Sequence, residues 1–205
     1  LTHIRHSEKV FIMKRLLLIF ILTFSFQIFA KADDIRDFQI EGISIGDSLL
    51  DHFSFQEIEK NIKDNYFQRI NNNTFIVSEI NSAIFNNYES IQFIFKLKDK
   101  QFIIHGMHGT LFYKKNISKC HSKLKKIASE ISSSVIFEQR DDFNDLDMGG
   151  GQGKYSGITF FLKKGVISVH CYDWAKKVED ELRWVDNLRV NIKTDEYENF
   201  LQKEQ

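Results

Sequence analysis

Ile158-Thr159-Phe160-Phe161-Leu162-Lys163-Lys164-Gly165-Val166-Ile167-Ser168-Val169-His170-Cys171-Tyr172 contains two β-prone runs separated by a short basic break that ends in glycine. Branched and aromatic residues on both sides of Lys163-Lys164-Gly165 predict an antiparallel hairpin. In the second run Ile167, Val169 and Cys171 alternate in phase, so the cysteine shares the inward face of the two aliphatic side chains. The other cysteine, Cys120, belongs to the stripe Ile117, Cys120, Leu124, Ile127 and Ile131. That period predicts a helix from Asn116 or Ser118 to about Ser133, with Lys119, Lys123 and Lys126 facing away. Both sulfurs therefore point toward the same kind of interior. A disulfide between Cys120 and Cys171 would tie helix to sheet and close a loop of about 50 residues, worth about 4 kcal/mol by loss of chain entropy in the unfolded state. Two buried free thiols and a metal or catalytic role are the alternatives.

Around this pair the pattern is that of an α+β domain. Ile91, Phe93, Phe95 and Leu97 share one face of a strand from Ile91 to Lys98, with Gln92, Lys96 and Lys98 largely on the other, and a turn at Asp99-Lys100 returns the chain through Phe102 to Tyr113. Gly106 and Gly109 interrupt this second strand and predict a bulge or bend. Ser54 to Glu57 is a capping box opening a helix to about Lys63. Asp47 is placed to cap a short turn through Leu49, Leu50 and Phe53, while Asp33 to Gln39 reads as a tail or a first edge strand. Tyr66 to Ile70 and Phe75 to Ile80 read as another hairpin around Asn71 to Thr74, and Leu188, Val190 and Ile192 as a last strand. Thr194 caps a final helix with Tyr197, Phe200 and Leu201 inward. Val135 to Glu138 reads as a short strand and Asp141 to Lys154 as a loop, acidic first and glycine-rich after; Lys176 to Val185 suits either a short helix or a loop. The expected architecture is a mostly antiparallel sheet with helices near 54–63, 118–133 and 195–203 packed against it, and one disulfide.

The compartment is read from a different stretch. Met13 to Ala32 has a Lys14-Arg15 pair, an apolar run from Leu16 to Phe29, and the small residues Ala30 and Ala32 before Asp33. This is the layout of a secretory signal peptide with cleavage between Ala32 and Asp33. The apolar run is about 14 residues and includes Thr23, Ser25 and Gln27, short of the roughly 20 that a membrane-spanning helix needs. An uncleaved anchor and a core helix are the competing readings. Translation is expected to start at Met13, residues 1–32 to be removed, and residues 33–205 to form a single secreted domain in the periplasm or outside the cell. No cysteine near Ala32 could take a lipid, so stable membrane insertion after cleavage is not expected.

The full chain of 205 residues has 28 Lys and Arg against 28 Asp and Glu. The leader takes five of the basic and one of the acidic side chains, which leaves an acidic excess of about four charges in the remainder. Such a balance offers no electrostatic footprint for nucleic acid or anionic lipid. No proline beside 20 phenylalanines reads as a coding bias toward A and T rather than as an aromatic binding face. Two glycosylation patterns, at Asn72 and Asn116, are ordinary products of an Asn-rich chain.

Motifs that carry chemistry are few. His121 beside Cys120 and His170 beside Cys171 suggest a four-ligand zinc site, but neighbouring strand residues point to opposite faces, and His121 is turned about 100° from Cys120. His105 and His108 also fall on opposite faces of a regular strand, unless a bulge at Gly106-Met107 brings them together. A calcium loop begun at Asp145 has Gly149 at its fifth position and Ser156 where a bidentate glutamate belongs. Gly149 to Lys154 fails as a phosphate loop, since Met148 replaces the first glycine and Tyr155 the Ser or Thr that would hold magnesium. No catalytic, cofactor-binding or metal residue is therefore assigned, and no cofactor is expected.

Glu41-Gly42-Ile43-Ser44-Ile45-Gly46-Asp47-Ser48-Leu49-Leu50-Asp51-His52-Phe53, Cys171-Tyr172-Asp173-Trp174 and Asp186-Asn187-Leu188-Arg189-Val190 resemble an uncharacterised family of small exported proteins from bacteria with AT-rich genomes. The resemblance implies export and carries over no activity, cofactor or catalytic residue. Ile43 to Leu50 is distantly similar to small envelope α+β modules of the outer-membrane-assembly lipoprotein and β-lactamase-inhibitor type, which implies protein contact rather than catalysis. The expected function is a noncatalytic binding or interaction module, with an envelope protein or a small ligand as partner and an exposed aromatic patch around Tyr172 and Trp174. The alternative, a periplasmic hydrolase, requires two or more of His105, His108, His170 and the Asp141 to Asp147 carboxylates to converge in one cleft.

Overall fold

The structure, a computed structural model, describes residues 34–63, 74–81, 83–114 and 116–203. The predicted leader, with its cleavage site at Ala30, Ala32 and Asp33, lies outside the described residues, as does the 66–70 strand of the first predicted hairpin. All described residues fall in one compact unit, Lys31–Gln205.

Two three-stranded meanders and one late strand build the main sheet. The first meander is β3 (Phe75–Ile80), β4 (Ser90–Lys96) and β5 (Ile104–Phe112); the second is β6 (Gln139–Asp147), β7 (Gly153–Leu162) and β8 (Gly165–Trp174). The late strand, β9 (Asn187–Thr194), runs antiparallel to both β5 and β8, so the order is β3-β4-β5-β9-β8-β7-β6. A small hairpin of β1 (Gln39–Ile40) and β2 (Ile43–Ser44) stands apart from this sheet. The α-helices are α1 (Phe55–Lys60), α2 (Ile117–Ser134), α3 (Lys176–Leu182) and α4 (Asp195–Lys203). No helix among the described residues is long and apolar enough to cross a membrane.

One sheet face carries the main core. Ile91 and Phe93, Met107, Val190 and Ile192, Ile167 and Val169, and Ile158 and Phe160 lie on it in register and are buried. Helix α2 covers this face with Cys120, Leu124, Ala128 and Ile131; Ala128 joins the predicted stripe, while Ile117 and Ile127 at its margin are only partly buried. Cys120 and Cys171 form the disulfide, with their Cα atoms 6.0 Å apart. Helix α4 lies on the opposite face, where Tyr197 packs with Phe75, Val77 and Ile94.

Several local readings change. Asp141 to Asp147 is strand β6 rather than loop; as an edge strand paired only with β7 it is exposed along nearly its whole length, so no apolar alternation marks it. Val135 to Glu138 forms no extended strand. The 54–63 helix stops at Lys60, and Ile62 bridges to Ser78 of β3 instead. Ser48 rather than Asp47 caps the turn at Leu49–Asp51, while Asp47 accepts the Ser44 N–H. Residues 35–37 form a 3₁₀ turn, and the ambiguous 176–185 segment is helical to Leu182.

Candidate functional site

The sheet face that carries α4 also holds nearly every polar side chain that the strands contribute. Alternation sets this up, because the residues between the core positions of β4, β5, β7, β8 and β9 include Gln92, His108, Thr159, Ser168, His170, Arg189 and Asn191. Register then joins them. Glu79, Gln92, His108, Asn191, Ser168, Thr159 and Asp141 form one row across all seven strands. The next row holds Thr110, Arg189, His170, Gly157 and Phe143.

Gly157 makes room for the rings of this second row. A Cβ there would lie 2.3 Å from the His170 ring and 2.7 Å from that of Phe143. His170 consequently sits close against the sheet, with Nε2 3.4 Å from Thr159 Oγ1 and Nδ1 3.4 Å from the Tyr172 hydroxyl. Burial, with Lys193 and Arg189 nearby, lowers its pKa to about 4, so the ring is neutral at pH 7. His108, 8% exposed, is pushed the same way by burial first and then by Arg189, Lys193 and His170.

Beside the histidines runs a strip of rings. Tyr155 and Tyr172 stack at 6.1 Å and 12°, Tyr172 and Trp174 at 5.7 Å and 11°, and Trp184 meets Trp174 edge-on at 4.5 Å. The Arg189 guanidinium lies 5.3 Å from the Tyr172 ring centre, a cation–π arrangement. Tyr155, Tyr172, Trp174, His170 and Arg189 are half-buried, and Trp184 is 46% exposed. The rings expected as an exposed patch around Tyr172 and Trp174 do lie together, but they are half-buried, and only Trp184 at their end is exposed.

Several polar atoms on this surface are buried without a hydrogen-bond partner among the described residues. They are both ring nitrogens of His108, Trp174 Nε1, Asn187 Oδ1 and Arg189 Nε. Neighbouring groups are satisfied, since Asn191 Nδ2 donates to Ser168 Oγ at 3.0 Å, Asn187 Nδ2 donates to Val185 O and Lys193 pairs with Glu198. Arg189 has no carboxylate partner among the described residues. A buried polar atom left unpaired costs about 1–3 kcal/mol; Arg189, Asn187 and Trp174 carry such atoms toward one end of β8 and β9, while His108 lies farther along β5 against Tyr197 of α4.

Other candidates resolve differently. The disulfide occupies both sulfurs, and His170 lies on the opposite sheet face from Cys171; no metal-holding group of three or more His, Cys, Asp or Glu occurs among the described residues. His105 is the extra residue of a bulge opposite Ile94 and Phe95, which turns it to the α4 side along with His108, one position before the predicted bulge. There it pairs with Glu196 at 3.4 Å and packs on Phe75. Asp142 pairs with Arg140, Asp145 is hydrogen-bonded to Ser156, and Asp147 accepts from the Gly149 N–H. Gly149, Gly150 and Gly151 take positive φ in the β6–β7 turn, and a strand rather than a helix follows them. Compared with known proteins, the chain matches no family model, no curated protein and no solved structure.

The two histidines make stability pH-dependent. Their folded pKa values lie below the usual 6.5, so as pH falls the unfolded chain takes up protons that the folded chain refuses. Stability is expected to be full above about pH 6.5 and to fall as pH drops toward about 4, through the window that the His170 shift defines. Urea midpoints measured from pH 7.5 to 4.5 should show this decline, with a shallower slope for His170→Gln; parallel slopes would show that His170 does not contribute.

Proposed function

We propose that the chain is an exported, noncatalytic binding module of the bacterial envelope, and that the polar and aromatic face along β8 and β9 is its recognition surface. The observation that carries this reading is Arg189, without an ion-pair partner among the described residues, and Asn187 beside the parallel rings of Tyr155, Tyr172 and Trp174. Binding sites combine ring surfaces with a few fixed polar groups in this way. Export is supported by the leader-like Met13 to Ala32, by the resemblance to small exported proteins, and by a disulfide that needs an oxidising compartment.

The hydrolase alternative has less support. The face does bring His108 and His170 together, but a histidine whose pKa is about 4 is a weak base at neutral pH. Its neighbour is a tyrosine hydroxyl rather than an orienting carboxylate, and Thr159 stands 3.4 Å away. Native mass spectrometry of protein purified from its own envelope tests the proposal. The expected species begins at Asp33, holds its cysteines oxidised and retains a ligand or partner that Trp174→Ala releases. A cytoplasmic, reduced protein would refute export; an empty protein whose tryptophan emission ignores envelope extract would refute binding.

A further inference from the structure

We infer that the protein has a second binding site on the other side of the sheet, a cavity that takes a free apolar α-amino acid. It is independent of the β8–β9 surface. The cavity encloses about 350 Å³ between the β1–β2 hairpin, α2 and the core side of β5 and β9, which is the small end of ligand sites. Ile40, Leu111, Ile131 and Val190 form its apolar floor, while Gln39, Asn87 and Glu130 at its mouth are exposed. The Tyr88 ring makes part of the wall. It is seated over Gly109, where a Cβ would lie 2.7 Å from it.

Three charged side chains line the same cavity. Lys123 and Glu130 stand two helical turns apart on α2, about 10.5 Å along its axis, on the face that also carries Ile127. Neither forms an ion pair among the described residues. Glu41 is held in place, since its Oε2 accepts from the Asn86 N–H at 3.0 Å and its Oε1 from the Asn87 N–H at 2.7 Å. Burial first, then Glu41 and Glu130, pushes the Tyr88 hydroxyl up to about 12, so both carboxylates act on that hydroxyl while Lys123 is not among the groups that do. The cavity therefore has an acidic end and a basic end. An ammonium donates to Glu130 and Glu41, which keep lone pairs for it, and a carboxylate accepts from Lys123 Nζ. An apolar side chain between them covers the floor. A fatty acid would bring its charge among two carboxylates, and an apolar amine would leave Lys123 unanswered.

The exported protein is titrated at pH 7 with leucine and with phenylalanine while its amide signals are followed by NMR. N-acetylleucine, which lacks the ammonium, and leucinamide, which lacks the carboxylate, serve as comparisons, with glutamate as a polar amino acid. Saturable shifts are expected at Tyr88, Leu111 and Ile127 with at least one of the two apolar amino acids, at least tenfold tighter than with any comparison. Lys123→Met should reduce leucine to the level of leucinamide. Glu130→Gln should weaken leucine and leucinamide but not N-acetylleucine; circular dichroism verifies that both variants fold. Trp174→Ala should leave leucine binding unchanged, which separates this cavity from the β8–β9 surface. The absence of shifts with millimolar leucine and phenylalanine would overturn the inference, as would equal binding of leucine and its two derivatives. Shifts centred on Tyr172 and Trp174 instead would also overturn it, by moving the ligand to the other face.

Discussion

Replacing both Cys120 and Cys171 by alanine is expected to lower the unfolding free energy by about 4 kcal/mol. The bridge spans 51 positions of sequence, and in the chain-entropy treatment a loop of that length contributes about 4 kcal/mol by restricting the unfolded ensemble. Both cysteines are fully buried, so the loss of two sulfur atoms from the core adds to this rather than offsetting it. Urea denaturation of the oxidised protein and of the double variant measures the effect. The slope of free energy against urea should also rise, because an unbridged chain exposes more surface when it unfolds. Wild-type protein treated with reductant should move in the same direction as the variant. A loss below about 1 kcal/mol would show that the α2–β8 contact is held by packing alone.

Tyr197→Ala is expected to cost about 3–5 kcal/mol, the range for truncating a large buried aromatic side chain. Tyr197 is 1% exposed and meets Phe75 at 5.2 Å, at the centre of the small cluster that seats α4. The sheet is shaped for it, because a Cβ on Gly106 would lie 2.8 Å from the tyrosine ring. Gly106→Val should therefore displace the same helix from below and reproduce much of the loss. A second readout concerns the candidate site. Tyr197 and His108 have ring centres 6.2 Å apart, so unseating α4 admits water to a histidine that burial keeps neutral. Its pKa, followed by NMR titration, should rise toward the ordinary value in Tyr197→Ala. A stable variant with an unmoved His108 would show that α4 is held by other contacts.

What the chain discloses before folding depends on how local the signal is. The α2 stripe and the phase of Cys171 with Val169 are visible within single elements, and their conjunction gives the staple. Strand β6 is hidden because Asp141, Asp142, Asp145 and Asp147 sit on an edge where neither side needs apolar residues. The bulge at His105 is hidden because a one-residue shift reverses which side a histidine faces, and nothing around Gly106 says where the extra residue falls. The candidate site was half legible. Tyr172 and Trp174 lie two apart on one strand and read as a patch, but Arg189 and His108 reach it only through the pairing of β9 between β5 and β8. That pairing is non-local, so no window of sequence contains it. The usable signal was the set of polar residues alternating with core positions on five strands, which a register for β9 would have joined.

The position of β9 also governs when the protein can become itself. The two meanders, β3 to β5 and β6 to β8, share no edge until residues 187–194 lie between them, and those residues follow both meanders in the chain. A partly made chain therefore has two half-sheets with facing open edges and no means of joining them in the native order. Cys120 and Cys171 emerge earlier, so oxidation can hold α2 against β8 while the central slot is still vacant. Arrival of β9 then closes the sheet and sets Arg189 beside Tyr172 in the same event. A chain lacking β9 would have neither a continuous sheet nor Arg189 beside Tyr172, so the surface proposed above depends on the one strand that joins the two meanders.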